Sequence, residues 1–543
     1  MVFARRSTTL LAAIIASCAM VLSLTACTSD NKTVVDGQTT VTSNSAGGVA
    51  VFTPSDGITL NQQTPLNKWA KLVPDLAKAL ADAGFKKGDI DHTTSDSLAK
   101  QSRAIQDFVV DHLSNNTTDD SGIAIAPDNM TLLVAPVVEA DASTRQYGDY
   151  ISQNLSTNDA TDGEATSDGE SSEDDSPKDD SSNTESDSTA SDEQAQAVDR
   201  LVSSLKLAKE SGMHVVLLGN SIEGYKPDAF VKFSDAQTIG KLQAEKMVSK
   251  LKLDKASKDN PKYIEVLLPY TAVDEKGNAN DSTFAQEAFR GIWQVLGSYY
   301  QKGVVESPSG TLDGKSTEND WQAVAYDAAK EGSTAKVLDK RLAKTDGQST
   351  LTRIDGIITM NDYIASEVVK ELDDLGYTGS AADINPQITI SGIVGNITGK
   401  KDLSRDAVPD PIKSPENDNA NDSSSSDDDA DEDTSASDKD RDSQWPLVTG
   451  YGAYVSNIPS IVNGKQWMTG MEDRQTIATD IAQACAKLNK DEALNSMPSI
   501  RNSEVGGVKK IPTISEPLLA VSASNLKSAL IDPGYISLAD AGL

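Results

Sequence analysis

RIDGIITMNDYIASEVVKELDDLGY, residues Arg353–Tyr377, decides how the rest of this 543-residue chain is read. Ile354–Met360 is a β-branched, apolar run of strand length, and beyond it Ile364, Val368, Leu372 and Leu375 recur at helical spacing. The pattern predicts a strand, a tight turn and a helix. Asn361 and Asp362 fall in the turn, at the carboxyl end of the strand, where open α/β sheets bind ligands. An amide and a carboxylate there can take several hydrogen bonds from a polyol, or one of them can simply cap the helix. Both readings stay open.

The same alternation runs outward on both sides. Upstream lie a strand near Gly48–Thr53, an amphipathic helix from Trp69 to Ala83, a helix over Leu98–Leu113 and a buried strand over Met130–Val138. Helix Ala195–Ser211, strand His214–Gly219 and segment Ala229–Phe233 follow. A second series begins with helix Asp235–Leu251, strand Tyr263–Pro269 and helix Ser282–Tyr300. It continues with a strand near Gly303–Glu306, helix Asp320–Ala329, the opening unit and strand Pro446–Gly450. Two such β/α series predict an α/β protein of two doubly wound, parallel-sheet lobes with a hinge and a cleft between them.

The net charge of −33 argues against nucleic-acid binding. It is concentrated in two runs: residues 151–198 hold 14 acidic residues against one lysine, and 413–443 hold 12 against three basic ones. Composed of Asp, Glu, Ser, Thr and Asn with almost no apolar residues, both read as disordered insertions. The first follows strand Met130–Val138, so its root is expected on the crevice side. Neither has the D-x-D-x-D-G spacing of a calcium loop.

Residues 1–26 carry Arg5 and Arg6, an apolar run from Leu10 to Leu24 and then Leu24-Thr25-Ala26-Cys27. This reads as a secretory leader, and its end resembles a bacterial lipobox, which implies lipid attachment at Cys27 and tethering to the outer face of the cell membrane. Residues 27–47 read as a flexible spacer. Of three cysteines, Cys18 lies in the leader, and Cys485 falls on the apolar side of the helix pattern IATDIAQACAKL, as a buried thiol would.

Enzymatic chemistry finds little footing. The three histidines, His92, His112 and His214, have no metal-ligand spacing, and neither a nucleophile elbow nor a phosphate loop is present. The reading is of a protein that is not an enzyme and needs no cofactor or metal.

Four segments then resemble type 1 periplasmic binding proteins, specifically the xylose-binding and related monosaccharide-binding lineage that feeds ABC importers. They are Phe233–Gln243 (FSDAQTIGKLQ), Met360-Asn361-Asp362, Ile461–Thr469 (IVNGKQWMT), and the tail from Pro517-Leu518-Leu519 through Ser524–Tyr535. The resemblance spans about residue 48 to the C-terminus, interrupted by the acidic runs, with these four segments in order. The resemblance implies a small-molecule ligand, a monosaccharide or short oligosaccharide, and a permease partner.

Its sugar contacts carry over in part. Lys68-Trp69 matches an Arg-Trp pair, in which the aromatic face covers a sugar ring; Trp69 can equally be core. Asn361 and Asp362 match directly, and Asn280 or Asp281 lies near an Asp-Asn-Asn motif. At least three charged contacts are replaced: Asn220-Ser221 stands for Asp-Arg, Tyr451-Gly452 for Gln-Asp, and Glu472 for a lysine. The expected ligand set is therefore Lys68, Trp69, Asn220, Asn280, Asp281, Asn361, Asp362 and Tyr451. Lobe 1 is expected to comprise 48–232 with 451–510, and lobe 2 to comprise 233–450 with 511–543. Two rival functions keep the fold: a lipoprotein that reports a ligand to a membrane sensor, and a surface interaction protein whose sugar cleft has degenerated.

Overall fold

The computed structural model describes residues 34–35, 38–39, 46–56, 65–115, 125–138, 144–156, 185–273, 279–343, 351–381 and 444–543. Cys27, the leader and the acidic run 413–443 lie outside the described residues. The chain divides into two units, Met1–Asn44 and Ser45–Leu543; in the first, Val34–Val35 pairs antiparallel with Gln38–Thr39.

The larger unit is built on two main sheets with the same winding. In the first, strands Gly48–Pro54, Ile90–Ser95, Met130–Val134, His214–Leu218 and Ala229–Val231 are all parallel and lie in the spatial order 2-1-3-4-5. Val508–Ile514 extends it in parallel, and Ile500–Val505 forms an antiparallel edge. In the second, Lys262–Val266, Val305–Glu306, Gly356–Ile358, Leu447–Tyr451 and Met468–Met471 repeat the order 2-1-3-4-5, closed by antiparallel Leu519–Ser522. Such sheets hold ligands at the carboxyl ends of strands 1 and 3, where the winding reverses.

Both faces of each sheet are covered, which explains the nearly continuous apolar runs. Val49, Val51, Leu133, Val216 and Leu218 face helices Trp69–Asp82 and Arg474–Leu488. Their neighbours Ala50, Phe52, Leu132, Val215 and Leu217 face helices Leu98–Asn115 and Glu185–Glu210. In the second sheet, Ile264 and Val266 meet helices Ala236–Leu251 and Thr283–Gln301, while Ile357 and Val448 meet helices Ser333–Arg341 and Asp362–Leu375. Each fully buried Val, Leu or Ile contributes about 1.5–3 kcal/mol relative to exposure.

The chain crosses between sheets three times, at 232–235, 472–473 and 515–518. The first two crossings share a sequence repeat, Asp235-Ala-Gln-Thr-Ile239 and Asp473-Arg-Gln-Thr-Ile477. In each, the aspartate caps the next helix: Asp235 accepts from the Thr238 amide at 2.8 Å and Asp473 from the Thr476 amide at 3.3 Å.

Several expectations need correcting. The return to lobe 1, expected at 451, comes at residue 472, because Met468–Met471 pairs with the second sheet; lobe 1 also extends past 510 through Val508–Ile514. The insertion expected over 151–198 is ordered at both ends: Asn154–Leu155 pairs with Ser221–Ile222, and a helix begins at Glu185, where Ala197 and Val198 are buried. Residues 157–184 lie outside the described residues. Helix Asp320–Ala329 stops after Trp321–Val324, because Asp327 takes the Ala329 amide at 3.0 Å in a local turn and Ala325–Tyr326 pairs with Leu268–Pro269. Helix Ser333–Arg341 was not anticipated. The buried run Met130–Val138 leaves its strand at Val134, and the run Tyr263–Pro269 breaks at Leu267.

Candidate functional site

Asn361 follows strand Gly356–Ile358, the third of the second sheet, and does two things. Its side-chain oxygen accepts from the Ile364 amide at 2.9 Å, capping helix Asp362–Leu375, and its Nδ2 donates to Gln146 Oε1 at 3.1 Å. Gln146 comes from lobe 1, in the segment that follows strand Met130–Val134. The carboxyl ends of the two sheets therefore meet here. Met360, just before, is held at φ 68°, an uncommon conformation for a non-glycine residue, and its carbonyl accepts from Gln243 Nε2 at 2.9 Å.

Asp362 turns inward. Its Oδ1 accepts from Gln466 Nε2 at 2.7 Å, and its Oδ2 accepts from Thr469 Oγ1 at 2.8 Å and from the Tyr454 amide at 2.9 Å. It is fully buried, and burial pushes its carboxyl up to about 6 against the pull of those donors. A Cβ on Gly450 would stand 2.2 Å from Asp362 Oδ1, so the carboxylate fits only beside glycine. All of these partners belong to lobe 2, and the carboxylate organises that lobe's turns.

On the lobe 1 side, Trp69 opens helix Trp69–Asp82 and is buried in the core, edge-on to Tyr150 at 5.1 Å and to Phe233 at 5.8 Å. Lys68 Nζ pairs with Asp149 Oδ1 at 2.7 Å, and the Trp69 amide donates to Asp149 Oδ2 at 3.0 Å. Burial, with a hydrogen bond that protonated Asp149 donates to the neighbouring Asp56, pushes Asp149 up to about 7, although Lys68 draws it down. Asn220 is also committed: its Nδ2 donates to the Pro136 carbonyl at 2.9 Å, and its Oδ1 accepts from the Gln153 amide at 3.0 Å.

Tyr451 ends the fourth strand of the second sheet, its hydroxyl 3.2 Å from Ser234 Oγ and 3.4 Å from Glu472 Oε1. Glu472 Oε1 also accepts from the Ser234 amide at 2.7 Å and from the Ser234 hydroxyl. Ser234 and Glu472 lie on two of the three crossings. Burial pushes Glu472 up to about 7.

Asn280 and Asp281 are bonded locally. Asn280 Nδ2 donates to the Thr271 carbonyl at 2.9 Å, and exposed Asp281 accepts from the Thr283 amide at 2.9 Å and hydroxyl at 2.7 Å at the start of helix Thr283–Gln301.

Sequence reasoning missed the element that joins these residues: the segment Thr144–Tyr150. The Tyr147 ring lies 4.6 Å from Phe284 and 6.2 Å from Tyr451. Tyr454 Oη donates to the Gln146 carbonyl at 2.6 Å, the Asp149 amide donates to the Asn67 carbonyl at 2.8 Å, and Tyr150 stacks on Phe233 at 4.6 Å. Tyr147 is 1% exposed and Tyr150 1% exposed. The place between the lobes where Lys68, Trp69, Asn361 and Tyr451 converge is thus filled by the chain's own backbone and rings. Two signals could have pointed there: Tyr-Gly-Asp-Tyr in a chain with only 5% aromatic residues, and the repeated Asp-x-Gln-Thr-Ile at the crossings.

Among the described residues, no group of His, Cys, Asp and Glu side chains could hold a metal ion, and no helix is long and apolar enough to cross a membrane. Cys485 is a free, buried thiol, its pKa raised by burial.

No family profile matches the chain, and no curated protein matches it. Solved structures do. An ABC transporter solute-binding protein from Clostridium phytofermentans with bound β-D-glucose is 18% identical, with 91% of this chain and 99% of that one covered, at a TM-score of 0.44. A carbohydrate transporter solute-binding protein from Chloroflexus aurantiacus in complex with D-glucose is 18% identical, covering 92% and 98%, at 0.43. A periplasmic ribose ABC transporter protein from Conexibacter woesei is 14% identical, covering 90% and 96%, at 0.41. By its own strand orders and crossings, the chain is a two-lobed, doubly wound α/β protein, similar over most of its length to these sugar-transport components.

Proposed function

We propose that this protein is an extracytoplasmic solute-binding lipoprotein, tethered through Cys27, that captures a small polar ligand and delivers it to an ABC importer. A monosaccharide or short oligosaccharide is the ligand class that fits. One observation carries the reading: twin 2-1-3-4-5 lobes joined by three crossings, with Asn361 and Gln146 in contact where their carboxyl ends meet. Folds of this kind bind ligands at that position, and hinge motion about such crossings lets the lobes open and close. The four motif segments of the sequence support the sugar class.

Calorimetric titration with pentoses, hexoses and short oligosaccharides tests the ligand. Binding heat from at least one is expected, and silence from all of them would sink the sugar reading. Metabolic labelling with a radioactive fatty acid tests the anchor, with incorporation expected in the wild type and lost in Cys27→Ser. A second reading, a surface interaction protein whose cleft no longer takes sugar, is favoured by one observation: the position between the lobes is occupied by Tyr147. Uniform absence of binding heat would select it.

A further inference from the structure

The segment Thr144–Tyr150 is anchored unequally in the two lobes. Toward lobe 1 it is held by the Lys68–Asp149 ion pair at 2.7 Å, the Trp69 amide on Asp149, the stack of Tyr150 on Phe233, and a Tyr150 Oη bond to the Lys68 carbonyl at 2.6 Å. Toward lobe 2 it has the Tyr147 ring against Phe284 and Tyr451, and two uncharged hydrogen bonds through Gln146. The Tyr147 hydroxyl is buried there and makes no hydrogen bond of ordinary geometry; its polar neighbour, Asn361, is already engaged by Gln146 and the Ile364 amide. That fit is incomplete, since buried polar groups are ordinarily paired. Where Asp149 is ionised, its charged pair with Lys68 is also stronger than uncharged bonds of similar length.

We propose that Thr144–Tyr150 is an internal occupant of the interlobe site: it holds the lobes together without solute and must withdraw Tyr147 and Gln146 from lobe 2 before a solute can enter. The second half rests on the solute-binding reading above; the first does not. On opening, the segment stays with lobe 1, where its charged and stacked contacts lie. A solute that enters takes over the Asn361 Nδ2 and Tyr454 Oη donors that Gln146 now uses. Because only the displaced state binds, the apparent affinity is reduced by the fraction of molecules in that state.

Two variants of the full chain test this by different means. Gln146→Ala/Tyr147→Ala removes the lobe 2 contacts. Gly148→Ala unseats the segment as a whole, because Gly148 sits at φ 97° and a Cβ there would lie 2.5 Å from the Asn67 carbonyl oxygen. Circular dichroism and thermal melting first establish that each variant folds. Small-angle scattering, without solute, is then expected to show a compact wild type and variants with a broader distance distribution. Faster hydrogen exchange in the variants is expected at residues 144–150 and at the Tyr454 segment. A wild type as extended as the variants, or variants as compact as the wild type, would overturn the proposal.

Titration with the same pentose and hexose panel is expected to give a Kd at least tenfold lower for the variants. Equal Kd values would overturn the displacement. If no sugar binds any of the three proteins, the sugar reading fails, and the scattering result alone still decides whether the segment clamps the lobes.

Discussion

Ser234 and Glu472, 238 residues apart in sequence, are clasped across two of the three crossings, with the serine amide 2.7 Å from the Glu472 carboxylate. The carboxylate is enclosed, and its pKa is pushed up from 4.5 to about 7 by burial. Below about pH 4.5 it is protonated in both folded and unfolded chains. Between 4.5 and 7 the unfolded chain ionises while the folded one resists, so this group's contribution to stability is lost as pH rises through that window. Asp149 and Asp362 are raised too and act with the same sign. Thermal melts should therefore show stability falling from pH 5 to pH 8. Glu472→Gln, whose amide oxygen can still accept from Ser234, should flatten that slope and gain up to roughly 3 kcal/mol over wild type at pH 8. An unchanged slope would show that the carboxyl is ionised in the folded protein.

The two tyrosines of the interlobe segment should respond in opposite ways to loss of a hydroxyl. Tyr150 Oη donates to the Lys68 carbonyl at 2.6 Å, so Tyr150→Phe should cost about 1 kcal/mol in urea denaturation. Tyr147 Oη is buried beside Asn361 without a hydrogen bond of ordinary geometry, so Tyr147→Phe should be neutral or mildly stabilising. A loss of 1 kcal/mol or more on Tyr147→Phe would reveal a hydrogen bond, to Asn361 or to water, that Tyr147 forms in solution.

Asp362 serves as a hub for the second lobe. Asp362→Ala leaves the Gln466 amide, the Thr469 hydroxyl and the Tyr454 N–H without their acceptor. The expected cost is roughly 3 kcal/mol or more, read from the urea midpoint at constant slope. A normally stable variant with altered sugar affinity would instead place this carboxylate in contact with solute.

Helices Ala236–Leu251 and Thr283–Gln301 approach so closely that backbone meets backbone. A Cβ on Gly291 would lie 2.0 Å from the Gln237 carbonyl oxygen, and one on Gly240 would lie 2.2 Å from that of Ala288. Neither glycine has a positive φ, so the constraint is space alone. Gly291→Ala should destabilise by about 1–3 kcal/mol, the range for overpacking a tight site. Melting of the single variant against wild type checks this.

The alternation of apolar runs with period-3.6 segments was enough to read two parallel-sheet lobes, because doubly covered strands and amphipathic helices write their burial into local periodicity. Asn361 as a helix cap was legible for the same reason: an amide three residues before the amide it bonds is a local event. The commitments of Lys68, Asn220 and Asp362 were not legible. Their partners are Asp149, Pro136 and Gln466, each set by folding and not by spacing. The segment Thr144–Tyr150 has neither helical nor strand period, and its burial comes wholly from distant residues such as Phe284 and Tyr451. The failed helix at Asp320–Ala329 shows a converse limit: a single aspartate, Asp327, bonding two residues ahead outweighs an otherwise helical composition.

Both sheets are completed by strands from the last stretch of the polypeptide: Ile500–Val505 and Val508–Ile514 finish one, and Leu519–Ser522 finishes the other. A nascent chain stalled before residue 500 would thus carry two unfinished edges, each open to pairing with a stranger. Neither sheet has its full set of strands until the chain is made through Ser522, and long-range pairings of this kind are slow to form.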